Sequence, residues 1–243
     1  MQASHLTELI ELEDAYWWHI AKRQLVLDLL ARHAPPPGRL IEGGIGSARN
    51  LVEFRARGYD VAGLDIMPAA VQHAHERGLT DVREHDLTLP WPFATASADV
   101  VVLLDVLEHL PDPVGTLRHI HKVLRPGGRV ILTVPAHPWL YGDWDAALGH
   151  FRRYRPAELR QHVRESGLHV ERLSYWNGFT FPAAVAVRSF EKMFPQHRSA
   201  EFPRVSPLVN RGLLTAASLE RWWLRHLPNA CGLSLFAVLS RTA

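Results

Sequence analysis

The stretch RLIEGGIGSA, residues 39–48, narrows the folds open to this chain more than any other part of it. A short apolar run enters a turn built on Gly44 and Gly46, then leaves into a segment of helical character from Ala48 to Arg57 that stops at Gly58. Glycine adopts positive φ without strain and lets the backbone pass close to a ligand. Strand, glycine turn and helix in direct succession form a βα unit, the crossover that parallel strands require. Further runs of the same kind follow: DVAGLD (60–65), DVRE (81–84), ADVVVLLD (98–105) and GRVILTV (128–134). Most are nearly continuous in apolarity, as strands buried on both faces are.

Helical segments separate these runs. One enters through Pro68 and closes at Gly78; another has Asp112 as its N-cap, Pro113 in its first turn and Val114, Leu117, Ile120, Val123 and Leu124 at helical spacing, until Pro126-Gly127-Gly128 stops it. The alternation predicts an α/β fold with a mainly parallel sheet, whose ligands bind at the carboxyl ends of the strands. Before the sheet lies a helix over about 20–32, broken by Ala34 to Gly38 (APPPG). After it come a helix over 156–166, a strand over 168–176 and a last strand over 232–240. The expected organisation is an N-terminal helical cap (1–37), a ligand-binding domain (38–176 and 231–243) and a helical insertion (177–230).

That insertion of roughly 55 residues is longer than structureless loops run. It holds helical stretches over about 182–194 and 207–226, with Phe179, Phe181, Phe190, Phe194, Trp222 and Trp223. Three readings stand: a packed subdomain, a lid over a hydrophobic substrate, or a surface that meets a membrane or a second copy in a homodimer. The 243 residues, 47% hydrophobic and 21% charged, suit one large globular domain with an elaboration. A balance of 27 Lys+Arg against 25 Asp+Glu supplies no global field for nonspecific nucleic-acid binding, so no nucleic-acid partner is expected. The single Cys231 excludes an internal disulfide and a thiolate zinc cluster, and fits a reducing, cytoplasmic setting.

The glycine loop also discriminates between nucleotides. A dinucleotide fingerprint that starts at Gly44 needs a small residue at position 49, where Arg49 stands, which argues against a nicotinamide cofactor. Read as acidic-x-Gly-x-Gly-x-small, the run Glu42 to Ala48 fits. Asp65, some 20 residues on, sits where a carboxylate can accept both hydroxyls of a ribose. After the third strand, Asp86 beside Leu87 pairs an acid that can read an adenine amino group with an apolar side chain that can cover the ring.

Taken together, EGGIGSA, GLD, HDL, LLDVLEHLPDP and VLRPGGRVILTVP resemble, in order, five motifs of the class I S-adenosylmethionine-dependent methyltransferases, in the broad group that includes quinone-biosynthesis enzymes. The resemblance covers about residues 38–176 and departs from the family in lacking the frequent cysteine of the first glycine motif and in placing Ala48 at its last glycine. It implies a Rossmann-like, doubly wound seven-stranded sheet with an antiparallel last strand. It also implies S-adenosyl-L-methionine as cofactor, with Glu42, Gly44, Gly46, Asp65, Ile66, Asp86, Leu87 and Asp105 around it. YWWHIAKR (16–23) and GHFRRYRPAEL (149–159) resemble a less characterised bacterial branch of the same family.

Methyl transfer from a sulfonium is an in-line displacement, so a base is needed only when the nucleophile carries a proton. His150 is the leading candidate base because imidazole titrates near neutral pH, and Tyr154 and His109 complete the catalytic candidates. Asp105, Glu108 and His109 are spaced i, i+3, i+4 and share one face if a helix starts there, a spacing similar to the acid-x-x-Glu-His that supports a divalent ion in quinone O-methyltransferases. The plainer reading has Glu108 capping a turn and His109 shaping the pocket, and no metal is assigned. Arg152, Arg153 and Arg155 either grip an anionic substrate group or form a solvated helix entry; Trp17, Trp18 and Arg23 either close the cofactor pocket or belong to the core. The expected activity is methyl transfer to a small, hydrophobic acceptor, and the alternative is a cofactor-binding regulatory or scaffold protein without turnover.

Overall fold

The computed structural model describes residues 3–193, 202–203 and 205–242; Phe194 lies outside them. Two helices lead, α1 (Ala3–Leu12) and α2 (Trp17–His33). Then strand and helix alternate: β1 (Arg39–Gly43), α3 (Arg49–Ala56), β2 (Asp60–Asp65), α4 (Pro68–Glu76), β3 (Val82–Glu84), β4 (Ala98–Leu104), α5 (Pro113–Val123) and β5 (Leu124–Pro135). A short α6 (Asp143–Ala147) precedes α7 (Pro156–Glu165) and β6 (His169–Trp176), and α8 (Phe181–Met193) and α9 (Pro207–Leu224) come before β7 (Ser234–Ser240).

The seven strands are ordered β3-β2-β1-β4-β5-β7-β6, with β1 to β5 parallel and β7 antiparallel to both β5 and β6. This is the Rossmann-like doubly wound sheet the motifs imply. Alternate side chains enter two apolar layers. Leu40, Val100, Val102, Ile131 and Phe236 face α2, α3 and α4, while Ile41, Val101, Leu103, Leu132 and Leu235 face α5 and α7.

Several boundaries differ from expectation. α2 starts at Trp17, three residues before Ile20; α1, with Leu6, Leu9 and Ile10 at helical spacing, forms the first part of the N-terminal helical cap, and α6 is a five-residue helix. Pro126-Gly127-Gly128 reads in the sequence as the stop of the preceding helix, yet that helix ends at Val123 and the three residues lie within β5. The sheet accommodates them by a register shift: Ala98 pairs with Leu124, then Val100 pairs with Arg129. Extra residues in one strand of a ladder are absorbed as such an irregularity.

Within the insertion, α9 packs along α2 and buries Ala217 and Leu224. Its Glu220 accepts the Asn177 N–H (3.0 Å), the Gly178 N–H (2.7 Å) and the Asn229 side-chain amide (2.6 Å), which ties the helix to the segments flanking β6 and β7. Arg225 bonds Asp28 on α2 (2.9 Å). Much of α8 is exposed, including Val187, Phe190 and Met193. Because Glu220 satisfies three donors, Glu220→Ala leaves them unmet. A buried donor without a partner costs about 1–3 kcal/mol, which for a chain of this size is a fall of roughly 2–12 °C in Tm. Thermal unfolding at an unchanged Tm would show that α9 is held by apolar packing alone.

Candidate active site

The carboxyl ends of β3, β2, β1 and β4 lie side by side, and the loops that leave them gather polar groups. After β1 the chain turns through Gly44 (φ 73°) and Gly46 (φ 51°). A Cβ on Gly44 would stand 2.5 Å from Val106 Cγ2, and one on Gly46 would stand 2.8 Å from Leu9 Cδ2. Asp65 accepts the Gly46 N–H through Oδ2 (3.0 Å) and the Met67 N–H through Oδ1 (2.9 Å), so its carboxylate is tied to the glycine loop. Burial nevertheless raises its pKa. Ile66 beside it is exposed. Asp86 accepts the Thr88 N–H (2.9 Å) and hydroxyl (2.8 Å), which hold its pKa below the usual range, and Leu87 is buried in the same core layer as Trp91.

Glu42 is 1% exposed. Its Oε1 accepts the Asn50 side-chain amide (3.1 Å), while Oε2 is buried with no partner among the described residues. Burial lifts its pKa to about 8. An unmet buried acceptor is costly, and a ligand that brings a donor to this turn removes the cost.

Beyond β4, Asp105 takes a left-handed φ of 54°. Its N–H donates to the Thr133 carbonyl (3.0 Å), the Thr133 hydroxyl donates to Oδ1 (2.9 Å), and Lys22 Nζ of α2 donates to Oδ2 (2.7 Å). Burial alone would raise the Asp105 pKa; Lys22 and Thr133 outweigh it and hold the group low. The chain then makes one 3₁₀ turn, Leu107–His109. Pro111 and Pro113 cannot supply helical N–H groups, and α5 begins only at Pro113. Asp105, Glu108 and His109 therefore do not share a helix face, and the expectation from their spacing is corrected. Glu108 makes no cap bond at this turn either: it has no exposure, and neither carboxylate oxygen has a hydrogen-bond partner among the described residues.

His150 completes this group instead. Gly149 (φ 76°) turns the chain after α6, and the His150 N–H donates to the Asp145 carbonyl (2.9 Å). Its Nδ1 lies 3.0 Å from Asp145 Oδ1, close enough for an Nδ1–H to donate there. Nε2 lies 4.0 Å from Glu108 Oε1, and the His150 and His109 rings meet edge to face at 4.6 Å. Asp145 also accepts from Arg153 Nε (2.7 Å) and from the Gly142 N–H (3.1 Å). Burial works against its charge, but His150 and Arg153 prevail and keep its pKa low. Burial and the Asp105 charge push the Glu108 pKa well up, whereas burial and His150 push His109 down to about 4. Glu108, His109 and His150 each offer one ligand atom, all within 4.8 Å of one another.

A family model described as a methyltransferase domain matches residues 17–173. The chain belongs to this methyltransferase family. It is 34% identical over 164 residues to a probable S-adenosylmethionine-dependent methyltransferase of Mycolicibacterium smegmatis, an alignment that covers 65% of this chain and 62% of that protein. A ubiquinone biosynthesis O-methyltransferase of Pseudomonas aeruginosa is 31% identical over 153 residues, covering 55% and 65%. The chain thus spans just under two thirds of the length of these relatives. Among solved structures, the chain in the complex between the Haloferax volcanii Trm112 methyltransferase activator and the putative methyltransferase superposes with a TM-score of 0.66 at 22% identity, over 99% of this chain and 95% of that one. Geranyl diphosphate C-methyltransferase of Streptomyces coelicolor A3(2) gives 0.61 at 14%, over 91% and 79%. At such identities the likeness is one of fold.

Within this methyltransferase domain the other candidates make contacts inside the protein. Tyr154 has no exposure and donates its hydroxyl to the Leu107 carbonyl (3.4 Å), so it supports the 3₁₀ turn from the core side. Burial raises its pKa, which makes it a poor proton carrier. Arg153 is taken up by Asp145, Arg152 donates to the Pro111 carbonyl, and Arg23 pairs with Asp14 (2.7 Å). Arg49, which spoils the dinucleotide pattern, also pairs with Asp14 (2.9 Å). Sequence reasoning passed over Lys22, Thr133 and Asp145. Lys22 stands in the quoted YWWHIAKR, and Asp145 precedes His150 by five residues, a spacing with no periodic meaning outside a regular element.

The buried imidazoles have a direct readout. By NMR titration, His19, whose pKa burial lowers to about 3, and His109, near 4, remain neutral down to about pH 5. A His109 midpoint at or above the unperturbed value of about 6.5 would mean that solvent reaches the group freely.

Proposed function

We propose that this protein transfers a methyl group from S-adenosyl-L-methionine to a small, hydrophobic acceptor whose nucleophile carries a proton. The observation that carries the reading is the row of groups at the strand ends: Glu42 with its unmet buried oxygen, Asp65 bound to the glycine turn, and Asp86 and Asp105 on either side. The Gly44–Gly46 turn leaves room for close approach, Asp65 suits a ribose, and Asp86 with the exposed Ile66 suits an adenine edge and face. Glu42 suits a donor of the methionine part. The name of the Mycolicibacterium smegmatis relative, a probable S-adenosylmethionine-dependent methyltransferase, supports the same cofactor. When bound, S-adenosylmethionine supplies an electrophilic methyl on a sulfonium, open to in-line attack.

The acceptor side follows from the surroundings of Asp105. Lys22 lies 5.8 Å from the Trp18 ring, Trp18 packs on Trp176 at 4.7 Å, and Trp17 meets Phe179 at 5.8 Å. On the other flank Phe181, the first residue of α8, lies 4.9 Å from His137. These rings favour a hydrophobic acceptor, and α8 is proposed as its cover. Removal of the acceptor's proton is assigned to the Glu108, His109 and His150 group, whose donor atoms gather within 4.8 Å of one another. Asp145 fixes the His150 ring, and the low-dielectric surroundings exclude water that would compete with the acceptor.

Two measurements test this. Asp65→Ala removes a charged acceptor worth about 1.5–3 kcal/mol, so calorimetry is expected to show S-adenosylmethionine affinity falling roughly 10- to 150-fold; unchanged affinity overturns the cofactor assignment. Release of S-adenosylhomocysteine in the presence of pooled cell metabolites identifies an acceptor, and His150→Ala is then expected to lower turnover by about 100-fold with cofactor affinity unaltered. Parental turnover in that variant removes the proton-handling role.

A further inference from the structure

We propose that the cleft between α2, α9 and β6 binds a phosphate group, as free phosphate or as a phosphate ester. Four guanidinium groups line it: Arg32 of α2, Arg172 of β6, Arg221 of α9, and Arg225 just beyond that helix. Asp28 is the one acid that lines the cleft among the described residues. Leu224 and Phe236, both buried, give it an apolar wall. The cleft lies apart from the strand ends, since Asp28 and Arg32 follow Lys22 by six and ten residues on α2, about 9 and 15 Å along the helix axis. Phosphate binding there does not depend on methyl transfer.

The arginines are held in place without being neutralised. Arg225 donates to Asp28 (2.9 Å), and Arg221 stands 3.6 Å from the same carboxylate. Arg32 and Arg172 instead donate to carbonyls at the end of α9, Arg32 to that of Arg225 (3.1 Å) and Arg172 to that of Leu224. A helix C-terminus carries about half a negative charge, so with Asp28 it leaves the four guanidiniums an excess of about two and a half positive charges. Glu171, next to Arg172 on β6, pairs with Arg129 (3.0 Å) and does not offset that excess. The Arg172 guanidinium lies over the Phe236 ring, 5.5 Å from its centroid. Burial, and after it the Arg32 charge, lower its pKa, the mark of a cation its neighbours do not relieve.

A guanidinium offers a phosphate two parallel N–H groups and keeps its charge throughout the physiological range. A phosphate ester, with about two charges and three terminal oxygens, matches this excess better than a carboxylate with one charge and two oxygens. Bound there, it bridges α2, α9 and the edge strand β6. Trp222, Trp223 and Leu227, beside these arginines in sequence, are exposed. The phosphate therefore comes either from a solute or from a lipid headgroup, in whose interface such side chains sit.

The test is calorimetric titration of the full chain with inorganic phosphate, at an ionic strength held constant with chloride. One site per chain is expected. Arg172→Gln is expected to weaken phosphate by about 10-fold or more, the loss of a hydrogen bond to a charged group. Arg32→Gln alters an exposed side chain. It is expected to weaken phosphate roughly 2- to 5-fold, and Asp28→Asn to tighten it by a similar factor, the worth of one surface charge. The tightening separates a ligand site from arginines that merely fasten α9, because Asp28→Asn removes a fastening and would then leave phosphate unaffected. Cosedimentation with phosphatidylglycerol vesicles, against phosphatidylcholine ones, tells the two sources apart. Binding that Arg32→Gln weakens and free phosphate reverses assigns a lipid headgroup, whereas phosphate binding without it assigns a solute. Should Arg172→Gln fail to fold, Arg32→Gln and Asp28→Asn decide. No binding of phosphate or of anionic vesicles, or binding that these two variants leave unchanged, overturns the site.

Discussion

Leu40, Val100, Val102 and Ile131 turn to one face of the sheet and Ile41, Val101, Leu103 and Leu132 to the other, all without solvent exposure. A sheet apolar on both faces has to be covered on both, which the helices crossing between the parallel strands β1 to β5 do. Polar groups are then excluded from the faces and collect where the strands end. Glu42, Asp65 and Asp105 each occupy such an end or the residue just after it, on neighbouring strands. The clustering of acids that defines the candidate site is thus a consequence of burying the sheet.

Inside that cluster, the acids differ in how they are paired. Asp105 and Asp145 are surrounded by donors that hold their pKa values low despite burial; Glu108 accepts no hydrogen bond among the described residues. Mutual repulsion does not account for this by itself, because the Asp105 charge adds to a penalty that burial has already imposed. A chain selected only for stability would favour a leucine at position 108, given how costly an unpaired buried carboxylate is. Its presence in a fully buried turn beside the His109 and His150 rings points to a ligand-dependent role.

The fold was legible because its signals are local. Period and punctuation locate strands and helices, and glycine after strand β1 with an acid after β2 marks the ligand edge. The parts that were not legible depend on backbone turns that bring distant residues together. The i, i+3, i+4 spacing of Asp105, Glu108 and His109 suggests one helical face, but Pro111 and Pro113 keep the segment to one 3₁₀ turn, and Asp105 stands before it in left-handed φ with its carboxylate held by Thr133 and Lys22. His150 reaches Glu108 only through the turn at Gly149 and the Phe151 N–H bond to the Glu108 carbonyl (2.8 Å). Pro126 to Gly128 misled because a strand on a parallel sheet can absorb extra residues as a register shift, which no local rule reveals.

The insertion shows how a distant element bears on the site without touching it. α9 lies along α2, fastened by Arg225 and Arg221 to Asp28 and by Asn210, whose side chain accepts the Trp17 N–H (2.9 Å) and donates to the Ala15 carbonyl (3.0 Å). Trp17 begins α2, and one turn later Lys22 reaches across to Asp105. A shift of α9 therefore moves the N-terminal end of α2 and, through Lys22, the charge that keeps Asp105 ionised. Loss of that charge would leave Asp105 and Glu108 as two buried acids side by side, and one of them would have to take up a proton. The packing of α2 by the insertion is in this way a condition for the electrostatics at the end of β4.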